Sequence, residues 1–241
     1  MLKFLGRGSA FADEQNSAFF ISDDELVLID CPMSAFHKLK RLDLSKMTEE
    51  SISKITVLVT HTHSDHCGGI PMLIHFAFFM FHIPVVVVAP SEEIKADIFF
   101  LIDRLDGCSP EGYELITASD LDRSWFKAAI PTEHAPALKG RCFGYILRIE
   151  GKDIVYTGDT NTLAPFMDHL KPGCELYSEI SVYKSPVHLY FVDIFPVLKE
   201  LSETGIRVYL MHLDNEELIK KNIVGSAISL APLYENYEGS F

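Results

Sequence analysis

The stretch His61-Thr62-His63-Ser64-Asp65-His66 directly follows the run 55–60, Ile-Thr-Val-Leu-Val-Thr, in this chain of 241 residues. The run is rich in β-branched residues, which predicts a strand covered on both faces. Residues two apart in extended backbone point the same way, so His61 and His63 can hold one ion together. Asp65 and His66 come where the chain turns toward a helix, and they face a different direction. One loop can therefore offer ligands to two adjacent metal sites.

Three further polar residues follow predicted strands elsewhere in the chain. His134 follows Ala128–Pro131, Asp159 follows Asp153–Tyr156, and His212 follows Arg207–Met211. Loops at strand ends are where a rigid scaffold carries binding and catalytic groups. Each residue alone has an ordinary alternative, such as a turn former or a helix cap. Together with the histidine run, they would complete two metal sites of imidazole and carboxylate ligands, which suit zinc, iron or manganese.

The order of elements predicts one α/β domain over residues 1–241. The chain reads as β-rich, then α/β, then β-rich, then α/β, with no linker and no repeat at fixed spacing. Two sheets flanked by helices explain this order better than two domains. The first thirty residues predict two strands joined by a turn at Asp23-Asp24. Helices are predicted at 34–42, 70–82, from Ser91, 192–203 and 215–222, and 48–51 predicts a helix start or capped turn.

Composition restricts the partners and the compartment. The formal net charge of −13 argues against a long nucleic acid, which is bound through Lys and Arg. Five cysteines without ligand or redox spacing indicate reduced thiols in a cytoplasmic protein, and the N-terminus predicts no signal peptide. The apolar run 70–89 contains two prolines and two histidines, which argues against a membrane span.

The ligand candidates resemble, in type and order, those of the metallo-β-lactamase superfamily. The resemblance runs from Leu5 to Asp214 and includes Asp30 in Leu28-Ile29-Asp30-Cys31. It implies an αβ/βα four-layer sandwich with two mixed β-sheets flanked by helices. It also implies two divalent metal ions, zinc first with manganese or iron as alternatives. The implied ligands are His61, His63 and His134 on one ion, Asp65, His66 and His212 on the other, and Asp159 bridging both.

Asp30 resembles the buried aspartate that orients metal ligands in this superfamily through hydrogen bonds. The alternative for Asp30 is a plain turn residue at a strand end.

Two further segments are similar to the ribonuclease Z-like phosphodiesterase branch. One is the opening 5–10, Leu-Gly-Arg-Gly-Ser-Ala, and the other is Ser178-Glu179-Ile180-Ser181, followed by His188. The resemblance implies that His188 stabilises the phosphoryl oxygen or protonates the leaving group, while Glu179 holds its ring. With Asp65, these two are the predicted catalytic residues. The alternative for His188 is an exposed histidine at a helix start.

The predicted activity is hydrolysis of a small or nucleotide-type phosphodiester by a hydroxide that bridges the two ions. The chain shows no long glycine- and proline-rich arm for gripping tRNA, and Ser178 replaces a histidine of the branch's motif. A lactonase or carboxylic ester hydrolase on the same ligands is the alternative, and a non-catalytic metal-binding or sensing protein is the third reading. Arg7, Lys139, Arg141 and Lys184 are candidate anion-binding residues, with a solvated surface charge as the alternative for each.

The apolar helix 70–82 carries further residues with a structural interpretation. His75 and His82 lack ligand spacing, so core positions or positions with partly satisfied ring nitrogens are expected for both. Phe76, Phe78, Phe79 and Phe81 predict core packing or a face for a second copy, which leaves a homodimer open.

Overall fold

The computed structural model describes residues 1–42 and 52–234. The helix start predicted at 48–51 lies outside the described residues. The chain forms two compact units that interleave in sequence. The N-terminal unit comprises Leu2–Arg7, Asp13–Leu121 and, from Pro232, the last described residues. The C-terminal unit comprises Met1, Gly8–Ala12 and Asp122–Ala231. The prediction of one domain over 1–241 stays a prediction.

The N-terminal unit is built on a six-stranded mixed sheet in sequence order. Its strands are β1 (Lys3–Gly6), β2 (Ser17–Ser22), β3 (Glu25–Ile29), β4 (Lys54–Leu58), β5 (Val85–Ala89) and β6 (Tyr113–Thr117). β1 to β3 pair antiparallel, and β3 to β6 pair parallel. The helices of this unit are α1 (Met33–Leu39), α2 (Ser64–Cys67), α3 (Ile70–Phe81) and α4 (Glu92–Phe99), which continues into a π-helix at Phe100–Leu105.

The C-terminal unit repeats the same pairing pattern in a second six-stranded sheet. Its strands are β7 (Phe126–Pro131), β8 (Phe143–Ile149), β9 (Lys152–Tyr156), β10 (Glu175–Ile180), β11 (Arg207–Leu213) and β12 (Ser229–Leu230). β7 to β9 pair antiparallel, and β9 to β12 pair parallel. Its helices are α5 (Phe191–Glu203) and α6 (Glu216–Asn222), with 3₁₀ turns at Pro136–Leu138 and Ala164–His169.

Local sequence explains most of these elements. β4 and β5 are almost completely buried, as parallel strands covered on both faces must be. The β2–β3 turn places Asp23 at a φ of 54°, a region that Asp tolerates better than most residues. Ser91 accepts a hydrogen bond from the Ile94 amide at the start of α4, and Asn215 does the same for Leu218 at α6. The two six-stranded mixed sheets and their helices confirm the predicted fold class.

The structure corrects several details of the prediction. The first thirty residues hold three strands rather than two, because β1 is a short segment that pairs with β2 without a strong alternation of its own. The sequence analysis predicts neither β6 nor β12. His82 is exposed, not in the core: it ends α3 in the left-handed conformation at a φ of 57°. Phe79 and Phe81 are exposed too, so neither belongs to the core.

Among the described residues, no helix has both the length and the apolar character needed to span a bilayer.

Candidate metal centre

In the N-terminal unit, the histidine run follows β4 and turns into α2. His61 and His66 are fully buried, and His61 Nε2 lies 3.0 Å from His63 Nδ1. Asp65 Oδ2 lies 3.3 Å from His66 Nε2. The four predicted ligands of this run therefore gather their nitrogen and oxygen atoms in one small region at the carboxyl end of a parallel strand. That edge is where open α/β sheets bind their ligands.

Asp30 orients His66 and the start of the histidine run through hydrogen bonds. Its Oδ1 accepts the Thr60 amide proton at 2.7 Å, and its Oδ2 accepts the Thr60 hydroxyl at 2.7 Å. The same Oδ2 lies 2.7 Å from His66 Nδ1, so this ring nitrogen donates its proton to the carboxylate. The His66 Nε2 is thereby left as the atom with the lone pair, which is the form that binds a metal. Asp30 thus does what a ligand-orienting carboxylate does, and not what a simple turn residue does.

The environment of Asp30 is unfavourable for a charge. Complete burial raises the pKa of Asp30 above its ordinary value, while the neighbouring His66 and the hydrogen bonds from Thr60 lower it. Its backbone also lies in the left-handed region, at a φ of 60°. A non-glycine residue held there costs about 1–3 kcal/mol and persists only where its surroundings determine it, and such residues cluster at functional sites.

The C-terminal unit carries the second donor set. Asp159 Oδ2 lies 3.6 Å from His134 Nε2 and 3.4 Å from His212 Nε2, and all three side chains are about 3% exposed. His134 Nδ1 donates to the Val187 carbonyl at 2.8 Å, which leaves its Nε2 as the ligand atom. His212 occupies the left-handed region at a φ of 53°, where β11 shifts its register against β10. These three residues present two imidazole nitrogens to one carboxylate.

His188 and Glu179 are brought together in the same unit. His188 Nδ1 lies 3.1 Å from Glu179 Oε1, which also accepts the Thr160 amide at 3.0 Å. The ring of His188 lies 4.8 Å from that of His134 and 5.3 Å from that of His212. Because His188 Nδ1 is hydrogen-bonded to the Glu179 carboxylate, His188 Nε2 is the nitrogen that can contact a ligand.

Opposing effects set the proton affinity of this pair. Burial works against a charge on His188, but the hydrogen bond and charge of Glu179, with smaller contributions from Asp159 and Asp214, raise the pKa of His188 to about 9. Burial raises the pKa of Glu179 above its ordinary value, whereas the hydrogen bond and charge of His188 lower it. Glu179 is fully buried, and within the described part of the chain its Oε2 has no hydrogen-bond partner.

A cavity of about 370 Å³ opens beside these histidines within the C-terminal unit. Its walls come from the loop 9–12, the segment 181–188 and the end of β11, with His188 and His212 in the lining. Phe11 and Tyr183 also line the cavity, and both are largely exposed. The lining does not include Lys139, Arg141 or Lys184. Lys184 instead lies 3.7 Å from Asp193.

The sequence predicts no role for two residues, one in each unit. Asp214 accepts the Ser181 hydroxyl at 2.6 Å and the Val182 amide at 3.1 Å, and so anchors the start of the segment that carries His188. Thr60 joins Asp30 to the histidine run. Their only sequence signal is proximity to a candidate ligand, since each lies one or two positions from a histidine.

The ligand chemistry of both sets fits divalent metal ions. Each set combines buried imidazole nitrogens with a carboxylate, and in each a ring Nδ1 is tied up by an oxygen acceptor so that Nε2 can coordinate. The assignment of the seven ligands to two ions stays a prediction, and so do the catalytic roles of Asp65, Glu179 and His188.

Comparison with known proteins adds two kinds of finding. The family model described as Anti-Pycsar protein Apyc1 matches residues 1–104. The Apyc1 protein of Bacillus phage 010DV004 is 25% identical over 239 residues, which cover 90% of each chain. The Apyc1 protein of Paenibacillus sp. (strain J14) is 39% identical over 74 residues, and the match spans only 28% of that protein's length.

Solved structures are similar over almost the whole chain. The metallo-β-lactamase fold protein YhfI from Bacillus subtilis has a TM-score of 0.69 at 18% identity, covering 96% of this chain and 95% of that one. A diphosphatase from the PhnP family gives 0.69 at 18% identity, with 97% and 95% covered. Human tRNase Z, short form, gives 0.67 at 16% identity, with 97% of each chain covered. This chain therefore has the metallo-β-lactamase fold.

Proposed function

We propose that the chain is a metal-dependent phosphodiesterase that acts on a small or nucleotide-type phosphodiester. The observation that carries the proposal is the pair of His188 and Glu179 beside His134, Asp159 and His212, at the wall of a cavity. A histidine held by a buried carboxylate next to metal-type ligands is suited to donating a proton or a hydrogen bond to an oxyanion.

Two divalent ions, zinc by preference, are part of the proposal. Their proposed ligands are His61, His63, Asp65, His66, His134, Asp159 and His212. Bound ions of this kind supply Lewis-acid activation of water and of a phosphoryl oxygen at neutral pH. The imidazole and carboxylate donors accept zinc, manganese or iron, so metal supply also decides the occupant.

The chain's own residues then divide the remaining work. Glu179 holds the His188 ring through Nδ1, while the Thr160 and Leu189 amides fix the carboxylate at 3.0 and 3.3 Å. His188 Nε2 is left to face the phosphoryl or leaving-group oxygen. Asp214 anchors the segment 181–183, which keeps the cavity wall in place. Asp30 orients His66, so that metal binding does not have to select the ring tautomer.

The size and lining of the cavity support a small substrate. A volume of about 370 Å³ lies near the lower end of the range for small-molecule sites, roughly 300–1,000 Å³. Phe11 and Tyr183 offer aromatic faces on which a nucleobase can stack. The acidic chain disfavours a long nucleic acid. Two of the proteins with similar structures are a diphosphatase of the PhnP family and a tRNase Z, which supports a phosphorus-containing substrate.

A substrate panel tests the proposal. Zinc- or manganese-loaded protein is assayed with bis-p-nitrophenyl phosphate, cyclic nucleotides and acyl lactones. Phosphodiester turnover that His188→Ala reduces by roughly 10²–10⁴-fold, with metal content unchanged, is the expected result. His169→Ala, a half-buried histidine of the same unit that does not line the cavity, is the matched control and should retain activity.

Other outcomes of the panel point elsewhere. Turnover of lactones without turnover of phosphodiesters would favour the lactonase or ester hydrolase. Near-zero metal occupancy after supplementation, with no turnover of any substrate, would favour a non-catalytic protein that keeps the fold.

The compartment and assembly belong to the same proposal. All five cysteines are buried and none of them forms a disulfide, which suits the reducing cytoplasm. Phe79, Met80, Phe100 and Leu105 are more than half exposed, which suits burial against a second copy of the chain. Sedimentation of the purified protein tests the homodimer directly, and a strictly monomeric protein at micromolar concentration would contradict it.

A further inference from the structure

A second group of ligand-type side chains, made of residues outside the histidine run, lies in the N-terminal unit. His75 is on α3, while Asp106 and Cys108 follow the π-helix. His75 Nε2 lies 2.8 Å from Asp106 Oδ1 and 3.7 Å from Cys108 Sγ. The three donor atoms all lie within 4.8 Å of one another. A nitrogen, an oxygen and a sulfur from three side chains therefore surround one point.

The geometry of these three side chains favours a metal site over a nucleophilic triad. In a Cys-His-acid triad, the imidazole uses one nitrogen for the nucleophile and the other for the acid. Here the same atom, Nε2, faces both partners. A ring arranged in this way cannot take a proton from the thiol while the carboxylate orients its opposite side. Convergence of three donors on one point is instead what a cation requires.

One of the two donor separations already fits a tetrahedral zinc site, and the other needs a small rotation of an exposed side chain. Zinc bonds of about 2.0–2.1 Å to nitrogen, 2.0–2.2 Å to oxygen and 2.3 Å to sulfur give separations of about 3.6 Å for N···S and 3.4 Å for N···O. The N···S distance of 3.7 Å already agrees. The N···O distance of 2.8 Å must lengthen by about half an ångström, and the Asp106 side chain is 37% exposed and can rotate.

Backbone hydrogen bonds and a left-handed glycine fix the positions of Asp106 and Cys108. The Asp106 amide donates to Leu101 O at 3.1 Å, and the Cys108 amide donates to Ile102 O at 2.8 Å. Gly107 between them has a φ of 70°, a conformation that favours glycine. Helices of the π type are rare and occur often at functional sites. The π-helix and its left-handed exit thus direct two side chains of a three-residue segment toward the same histidine.

Each side chain is suited to its role as a ligand. The ring of His75 is stacked on Phe79, with a centroid distance of 6.1 Å and an interplanar angle of 11°. Cys108 is buried at 3% exposure, and burial followed by the charge of Asp106 raises the pKa of its thiol to about 11. The thiol is therefore inert at neutral pH without a metal. A bound cation reverses this local effect, because a coordinating thiol loses its proton.

We propose that His75, Asp106 and Cys108 bind a thiophilic divalent cation, zinc in the first instance, at a second site separate from the histidine run. The fourth coordination position is open to solvent, since the side chains of His75 and Asp106 are partly exposed. The ion would link α3 to the end of the π-helix across about thirty residues of chain. Its role is to stabilise this part of the N-terminal unit, and it takes no part in phosphodiester cleavage.

Cobalt spectroscopy tests this site without reference to activity. Metal-free protein is titrated with Co²⁺, and thiolate-to-cobalt charge transfer is followed in the near ultraviolet. All seven proposed ligands of the other centre are histidine or aspartate, so this band reports a cysteine ligand only. The expected result is a band that Cys108→Ser and Asp106→Ala abolish, with a Zn²⁺ stoichiometry lower by one.

Cys67→Ser is the matched control, because Cys67 is also buried and adjoins His66. It should leave the band intact. Circular dichroism establishes that each variant folds, and exposed Asp106 provides a test that does not disturb the core. A band that is absent in the wild type, that survives Cys108→Ser, or that disappears only in Cys67→Ser would overturn the proposal. Loss of phosphodiesterase activity in a histidine-run variant such as His63→Ala, with the band retained, would separate the two sites.

Discussion

Replacing Asp30 with asparagine tests how the buried carboxylate controls metal affinity. The Thr60 amide donates to Oδ1, so the oxygen of the new amide must occupy that position. Its NH₂ group then takes the place of Oδ2, where it faces the Thr60 hydroxyl and His66 Nδ1. Two donors meet at His66, and the ring can relieve this conflict only by moving its proton to Nε2. The proposed ligand atom would then carry a hydrogen and no lone pair.

The magnitude follows from comparable ligand-orienting contacts, whose loss costs about 10–100-fold in metal affinity. This factor corresponds to roughly 1.4–2.7 kcal/mol, at about 1.36 kcal/mol for each tenfold change. The assay is a zinc titration of metal-free protein in competition with a chromophoric chelator. A thermal melt of the metal-free variant checks that it still folds.

Glu25→Gln is the control, because Glu25 is a buried carboxylate in β3, the strand that Asp30 directly follows. Glu25 lies at the opposite end of β3 and accepts the Thr56 hydroxyl at 2.6 Å. Its replacement should leave zinc affinity within about twofold of wild type, because Glu25 lies at the end of β3 that is remote from Asp30. The reasoning is refuted if folded Asp30→Asn protein binds zinc as tightly as wild type, or if Glu25→Gln weakens binding equally.

Three further predictions concern the C-terminal unit. Glu179→Gln removes the charge that favours protonated His188, so the pKa of His188 in metal-free protein should fall from about 9 toward its ordinary value near 6.5, as NMR titration would show; an unchanged value would contradict the pairing. Phe11→Ser and Tyr183→Ala should raise KM for a nucleotide substrate roughly 5–100-fold at similar kcat, since stacking contributes about 1–3 kcal/mol per base; equal KM values would remove both residues from substrate binding. Gly144→Ala should lower the free energy of unfolding, measured by urea denaturation, by roughly 1–3 kcal/mol, because a Cβ there would collide with backbone oxygens. A denaturation midpoint equal to that of wild type would show that the strand can shift to accept the methyl group.

The histidine run, the three candidate ligands at strand ends and the sheet class could be read from the sequence because they depend on short-range pattern. Alternation, β-branched runs and residue type at a strand end are properties of neighbouring residues. The same holds for the helix caps at Ser91 and Asn215. His188 and Glu179 were accessible only through a family resemblance, since nothing in the eight intervening residues predicts that one ring nitrogen meets one carboxylate oxygen.

Tertiary structure decided the features that require residues distant in sequence to meet. The two sheets share one pairing pattern, two antiparallel pairs followed by three parallel ones, although the sequence shows no repeat. Strand pairing is made by backbone hydrogen bonds, so the two sheets can share a pairing pattern while their side chains differ. Comparing residue types along the chain therefore does not reveal the shared pattern. His75 is the clearest case. As a sequence position it is a histidine on an apolar helix, and only the fold brings Asp106 and Cys108, about thirty residues away, to its Nε2.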